Sequence, residues 1–471
     1  MVVTLRGLQT AVPPTILVQD QVRDVFAAQP DLSRLAQRLV TTSFNMSGID
    51  TRRTVIEELT LDAGRSGEPQ FFDPETQRLL SPSTGVRNEL YIVEATKLFV
   101  EAGRRALDAC PGVEAADITH VVTVSCTGFY APGPDYMLVR ELGLNPATQR
   151  YHLGFMGCYA SMPALRTAKQ FVDANPNAVV LVVSAELCSL HLRSSSDPDT
   201  IVASSLFGDG AAAGIVSARH PVAGEKAFTL DHFETVITPV GEGAMAWKIG
   251  DAGFEMVLSS YVPHIIDEHI EGALAPLLAK DEQLCVFAER MRAGEELRAD
   301  EGGADDAGGA GDRGIEAAGL SPDDEVTADL AVAAVLSEVL NGSTAGATGA
   351  AAPSLSLMSA EAESEAALRS EGARVVTLEQ PLNRAIAHWA IHPGGRSILD
   401  KTEAKLGLRE DQLVPAREVL RTYGNMSSAT VLFVMKAILD SDAAEDGDRT
   451  CAMAFGPGLT VESALLSVIH G

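Results

Sequence analysis

The chain has 471 residues, 46% of them hydrophobic, a formal charge of −28 at pH 7 and an isoelectric point near 4.7. That length and apolar content suit a globular α/β protein with two core-sized halves, and the acidity works against nucleic-acid binding, which draws on cationic surface. The six cysteines (110, 126, 158, 188, 285 and 451) show neither metal-ligand spacing nor a small-domain disulfide pattern, and apolar runs such as residues 178–183 are too short to span a bilayer. With no charged-then-apolar leader, the expectation is a cytoplasmic protein of a reducing compartment, without a metal or an integral membrane segment.

In chain order, Arg34 and Arg38 stand at i and i+4 on one face of a predicted helix, with Arg52 and Arg53 close behind. Residues 92–109 read as a helix and 121–125 as a strand. Residues 151–160 run Tyr-His-Leu-Gly-Phe-Met-Gly-Cys-Tyr-Ala. A Gly before Cys158 and a small residue two after it allow a sharp turn into a helix predicted over 160–174. A thiol at that corner feels the unpaired N–H groups of the helix start, which favour thiolate. A strand over 179–184 follows, and residues 1–235 alternate strands and helices as a layered α/β sandwich does.

The second half, 236–471, contains an amphipathic helix predicted over 260–280. Residues 284–378 then turn Ala-, Gly-, Ser- and acid-rich; residues 281–380 hold 21 acids against 6 bases, −15 of the total charge. Too polar and small-sided for its own core, this stretch is expected to be a mobile insertion, with a short helix over 328–340. A strand over 387–391 ends in His392, where Pro-Gly-Gly breaks it. Asn425 lies in the turn Tyr-Gly-Asn-Met-Ser-Ser, ahead of an apolar helical run over 429–439. Singly, a buried Cys is usually inert, a lone His satisfied and a turn Asn only turn chemistry. Together they are what thiolate acyl transfer requires: nucleophile, imidazole partner and amide donor.

These segments resemble the type III polyketide synthases, the chalcone-synthase-like branch of the thiolase fold. The matching blocks are residues 154–160 around Cys158, Leu-Phe-Gly-Asp-Gly-Ala-Ala-Ala at 206–213, residues 391–395 around His392, 423–428 around Asn425, and Phe-Gly-Pro-Gly-Leu-Thr-Val-Glu at 455–462. They follow the family's order and cover most of the chain outside the insertion. The resemblance implies two similar halves in a layered αβαβα sandwich and a homodimer. It also implies a catalytic triad. Cys158 would carry the acyl chain, His392 would keep the thiolate ionised and help bind the thioester carbonyl, and Asn425 would donate to that carbonyl and to the enolate left when malonyl-CoA loses CO2. The substrates would be malonyl-CoA and an acyl-CoA starter, with no cofactor. Pro-Gly-Gly after His392, in place of the Gln-Ala-Asn of ketoacyl-carrier-protein synthases, points to the polyketide branch.

The resemblance also names a pocket. Phe207 matches a gatekeeper between CoA tunnel and cavity, and Met256 stands for a second gatekeeper Phe. Cys126, Thr127 and Ala131 belong to a loop that reaches the cavity; Cys188 and His191 belong to another wall, His191 shaping it. Ser427, Gly456 and Pro457 complete the lining. Small residues at Thr127, Ala131 and Cys188 resemble bacterial members that take long fatty acyl starters, implying an alkylpyrone or alkylresorcinol product. Each CH2 buried in such a tunnel would contribute about 0.8 kcal/mol. The alternatives are an aromatic or short starter, or a non-catalytic acyl-CoA-binding homologue. The family's basic CoA-phosphate set does not align cleanly, and Arg34, Arg38 and Arg52 are its candidate substitutes.

Overall fold

The computed structural model describes residues 1–60, 68–285 and 382–471. The predicted insertion, with its helix over 328–340, lies outside the described residues apart from its first two positions. Strand β1 (Thr4–Ala11) is followed by β2 (Thr15–Val18), α1 (Gln19–Ala27), α2 (Arg34–Met46) and β3 (Thr51–Thr54). A small hairpin, β4 (Phe72–Asp73) and β5 (Arg78–Leu79), precedes α3 (Thr84–Asp108), β6 (His120–Ser125), α4 (Pro134–Glu141) and β7 (Gln149–Gly154). Then come α5 (Ser161–Ala174), β8 (Val179–Leu187), α6 (Pro198–Leu206), β9 (Asp209–Ser217) and β10 (Lys226–Ile237). The hairpin β11 (Met245–Gly250) and β12 (Gly253–Leu258) leads to α7 (Val262–Leu278). The chain closes with α8 (Leu382–Ala385), β13 (His388–Ile391), α9 (Arg396–Leu406), α10 (Glu410–Tyr423), α11 (Thr430–Asp440), β14 (Arg449–Gly456) and β15 (Thr460–His470).

Nine strands form one sheet in the order β13-β14-β15-β10-β1-β9-β8-β6-β7. Its two ends are wound alike. β1 pairs antiparallel with β9 and β9 with β8, while β8 and β6 run parallel. In the second half β10 pairs antiparallel with β15 and β15 with β14, while β14 and β13 run parallel. The halves join where Thr4 and Leu5 of β1 face Thr229 and Phe228 of β10. The same winding, carried by α5-β8-β9 in one half and α11-β14-β15 in the other, exposes a duplication that leaves no repeat in the sequence.

Burial explains the layers. All nine residues of β8 (VVLVVSAEL) are buried, the pattern of a strand covered on both faces. Helix α11 (TVLFVMKAILD) is buried almost all round and packs on β1, β9, β13 and β14, strands of both halves. Helix α5 likewise touches β6, β8 and β9 of one half and β10 and β15 of the other. These two helices are the middle layer. α3 covers the outer side at β1, β8 and β9, and α7 covers β10 and β15, giving an αβαβα sandwich. β7, at the sheet edge, is the exception: its first four residues are exposed.

Candidate active site

Cys158 lies in the turn between β7 and α5, His392 directly follows β13, and Asn425 lies between α10 and α11. All three line one cavity of about 560 Å3, counted out to its mouth. Cys126, Cys188, Phe207, Met256, Ser427 and Pro457 share its walls, together with Trp247 and Ile398. The strand ends of the two halves therefore deliver the triad to a common space from positions far apart in sequence.

Asn425 is held by its backbone: its N–H donates to Leu206 O at 2.9 Å, and its C=O accepts from Gly208 N at 3.0 Å, forming a short bridge beside Phe207. Its side-chain Oδ1 accepts from Ser427 N at 2.8 Å, so the amide NH2 faces outward, with one contact to Gly394 O at 3.3 Å. Ser427 takes a left-handed φ of 47°, a cost accepted where a site is over-determined by its surroundings. Its hydroxyl is 3.3 Å from Cys126 Sγ. Glu186 lies fully buried beneath this floor and accepts from Cys126 N (2.9 Å), Thr127 Oγ1 (2.9 Å), Ser125 Oγ (3.2 Å) and Ser428 Oγ.

Burial controls the charges. It pushes the Cys158 thiol up to about 12, with hydrogen bonds from Ser427 and Asn425 pulling down and the Glu186 carboxylate pushing further up. Burial alone lowers His392 to about 3. Among the described residues both ring nitrogens of His392 lack a hydrogen-bond partner, although the residue is only 1% exposed. Burial thus opposes the expected ion pair one charge at a time, and α5 begins three residues after Cys158. Each charge is disfavoured alone. Passage of the thiol proton to the imidazole leaves the pocket with no net change of charge, so the two groups ionise together or not at all.

Several predicted residues take other places. Arg52 does not reach a CoA phosphate: it is completely buried, and its Nη1 donates to Ser204 O (2.8 Å) and Phe207 O (2.7 Å). Burial lowers its pKa to about 10 against the opposing Asp209 charge. It supports the Phe207–Asn425 bridge from behind. Arg34 and Arg38 are exposed on α2, and neither makes a hydrogen bond or ion pair among the described residues. Thr127 spends its hydroxyl on Glu186 and on Leu187 N (2.9 Å) and does not line the cavity, and Ala131 is exposed on the surface. Gly456 lies behind the wall, where a Cβ would sit 2.2 Å from the Tyr159 ring.

His191 lines a second cavity beside the first, and both of its ring nitrogens are engaged. Its Nδ1 accepts from Phe254 N at 3.0 Å, which makes Nε2 the donor to Thr127 O at 2.9 Å. Burial lowers it to about 3. It stacks on Phe254 with ring centroids 4.2 Å apart. Trp247, which sequence reasoning missed, donates its indole N–H to Cys126 O at 3.0 Å and fills the cavity wall from β11. The chain has two Trp residues, and the Gly-Asp-Ala-Gly turn marked a hairpin, but nothing local tied that hairpin to the Cys. Among the described residues no cluster of His, Cys, Asp and Glu could hold a metal ion, and no helix is long and apolar enough to cross a membrane.

Solved structures share this architecture. The C-terminal type III polyketide synthase domain of Steely1, a type I/III hybrid from Dictyostelium, superposes with a TM-score of 0.70 at 24% identity, covering 99% of each chain. PKS-I from the brown alga Ectocarpus siliculosus gives 0.70 at 22% identity over 100% of this chain and 99% of that one. A point mutant of CsyB gives 0.69 at 20%, over 99% and 100%. At such identities the likeness speaks for the fold, which is thiolase-like. The sequence itself matches "Chalcone and stilbene synthases, N-terminal domain" over residues 2–220 and the corresponding C-terminal domain over 377–470. The chain belongs to the chalcone and stilbene synthase family, that is, to the type III polyketide synthases, transferases that use acyl-CoA and malonyl-CoA.

Two outcomes follow from the site. Replacing His392 by Gln leaves the thiol to titrate alone. With no imidazole to take its proton, the thiol that burial already holds up stays protonated, so alkylation of Cys158 by iodoacetamide at pH 7 should slow at least about 100-fold relative to the unsubstituted protein, the rate climbing toward high pH. An unchanged pH profile would remove His392 from the pair. Arg52→Met should lower stability in urea by about 1–3 kcal/mol for each stranded carbonyl, with kcat falling as the Asn425 bridge loosens. A raised KM for malonyl-CoA at full stability would instead restore Arg52 as a CoA contact.

Proposed function

We propose that the protein loads an acyl group from a CoA thioester on Cys158, extends it by decarboxylative condensation with malonyl-CoA, and releases the product by ring closure to a pyrone or resorcinol. The observation that carries this is the convergence of Cys158, His392 and Asn425 on one enclosed cavity. The thiolate attacks the acyl carbonyl, and the imidazolium returns its proton to the departing CoA thiolate. The enolate formed as malonyl-CoA loses CO2 develops its charge against neutral donors from Asn425 and the unpartnered His392 ring, which stabilise it without a proton transfer. Its carbon then attacks the Cys158 thioester and frees the thiolate.

The geometry favours a short or compact starter. Of the three small residues that suggested a fatty acyl tunnel, only Cys188 lines the cavity, and the bulky Trp247 and Met256 take up wall space beside it. A longer chain has one route in its favour. A second cavity of about 370 Å3 adjoins the first across Cys188, Phe207, Trp247 and Met256. Arg34 and Arg38, unpaired among the described residues on α2, which packs on α6, suit the CoA phosphates. Tyr151 on the exposed edge strand β7, with Phe129 beside it, supports a homodimer joined there; sedimentation as a monomer at micromolar concentration would oppose it.

Mass spectrometry of products from malonyl-CoA and a panel of starters, acetyl to stearoyl plus coumaroyl, tests the reading. Pyrones or resorcinols are expected chiefly from short starters, with Trp247→Ala shifting the optimum to longer ones. Products from long chains alone would overturn the compact pocket. No product from any starter would leave an acyl-CoA-binding homologue.

A further inference from the structure

The second cavity contains a charge that the chemistry above does not use. Its wall includes His191, Arg193, Thr200, Ser204 and Phe254 beyond the four residues shared with the catalytic cavity. Arg193 is the only charged side chain in that lining among the described residues. It is partly buried and makes no hydrogen bond or ion pair with any described residue. Most other guanidiniums close to the core are engaged: Arg6 with Glu225 at 2.6 Å, Arg166 with Glu462 at 2.7 Å, Arg449 with Asp281 at 2.7 Å.

The neighbours of Arg193 sharpen the point. Arg87 is fully buried and close enough for the two cations to repel; it donates only to carbonyls, those of Pro82, Leu190 and Leu192, and leaves its Nη2 without a partner. His191 stays neutral, with both nitrogens occupied. Arg87 is buried outside the cavity lining, Arg193 lies in it, and no described carboxylate is bonded to either guanidinium.

We infer that the second cavity receives the far end of the starter and that Arg193 there pairs with a carboxylate on it, so that an ω-carboxyacyl-CoA is preferred over a neutral acyl-CoA of equal length. The inference rests on the polyketide-synthase reading for the direction of the chain: the thioester end sits at Cys158, and the far end passes Cys188 and Met256 into the second cavity. A carboxylate moved out of water into such a space is expelled unless it finds a cation and hydrogen-bond donors. A planar guanidinium supplies both. A neutral methyl end would leave Arg193 as it stands now.

Binding and turnover are measured separately. With Cys158→Ala to prevent acyl transfer, calorimetry compares glutaryl-CoA with pentanoyl-CoA, five-carbon acyl groups that differ in the distal carboxylate. Adding Arg193→Gln should weaken glutaryl-CoA about tenfold or more and leave pentanoyl-CoA within about twofold; Arg193→Lys should recover most of the loss. The same ratio of affinities with and without Arg193 overturns the inference. In protein with Cys158 intact, Arg193→Gln should reduce kcat/KM for glutaryl-CoA by a similar factor without changing the KM for malonyl-CoA beside pentanoyl-CoA. A raised malonyl-CoA KM there would assign the cation to the extender and overturn the starter assignment. Arg193-dependent binding without polyketide from either starter would sink the synthase reading and leave the subsite standing.

Discussion

The site depends on a backbone junction between the two halves. Asn425, from the second half, is pinned between Leu206 O and Gly208 N of the first. Gly424 makes this approach possible: at φ 69° it takes a left-handed conformation, and a Cβ there would lie 2.7 Å from Leu206 O and 2.8 Å from an Arg52 side-chain carbon. Arg52 then ties Ser204 and Phe207 from the other side. Asn425, Phe207 and the end of α6 are held by one set of short hydrogen bonds, and such groups buried without partners would each cost about 1–3 kcal/mol. The triad geometry follows from this junction more than from any contact among the triad side chains.

Around that junction the protein has set up a conflict between burial and charge. Cys126, Cys158 and Cys188 all line one cavity, with the Glu186 carboxylate beneath them, and every one of these groups is held toward its neutral form. The polar floor resolves part of the conflict by saturating Glu186 with hydroxyl and amide donors. The remaining donor capacity, one N–H of the neutral His392 imidazole and an amide N–H of Asn425, lies at the cavity that both residues line. Burial lowers the local dielectric, which strengthens whatever interaction those donors make with a developing oxyanion.

Much of this was legible in the chain. The valine run of β8 and the apolar α11 announce themselves by composition, and the triad by motif. Helix α3 begins at Thr84, eight residues before the predicted start, because Gly85 and the polar run through Glu89 mask its periodicity; the Ser83 cap, accepting from Val86 N at 3.4 Å, marked the true start. Arg52 was misjudged for a physical reason. Arg52 and Arg53 look equivalent as neighbours, but β3 alternates faces, so Arg52 points inward and Arg53 outward. Thr127 is small and near the Cys in space, yet its hydroxyl is claimed by Glu186. Composition cannot reveal such a claim. Trp247 belongs to a separate hairpin and becomes a wall only in three dimensions.

The duplicated winding carries a consequence for synthesis of the chain. Ser161, just after Cys158, meets the Ser428 carbonyl at 2.6 Å, yet the two residues lie 267 positions apart. At roughly 5–20 residues per second a ribosome takes roughly 13–53 s to cover that distance. During that interval the first half can wind β1, β6, β7, β8 and β9 around α5 with Cys158 already in place and the second half not yet made. The nascent Cys158 therefore waits through that interval without the second-half residues, His392 and Asn425, that share its cavity in the finished protein.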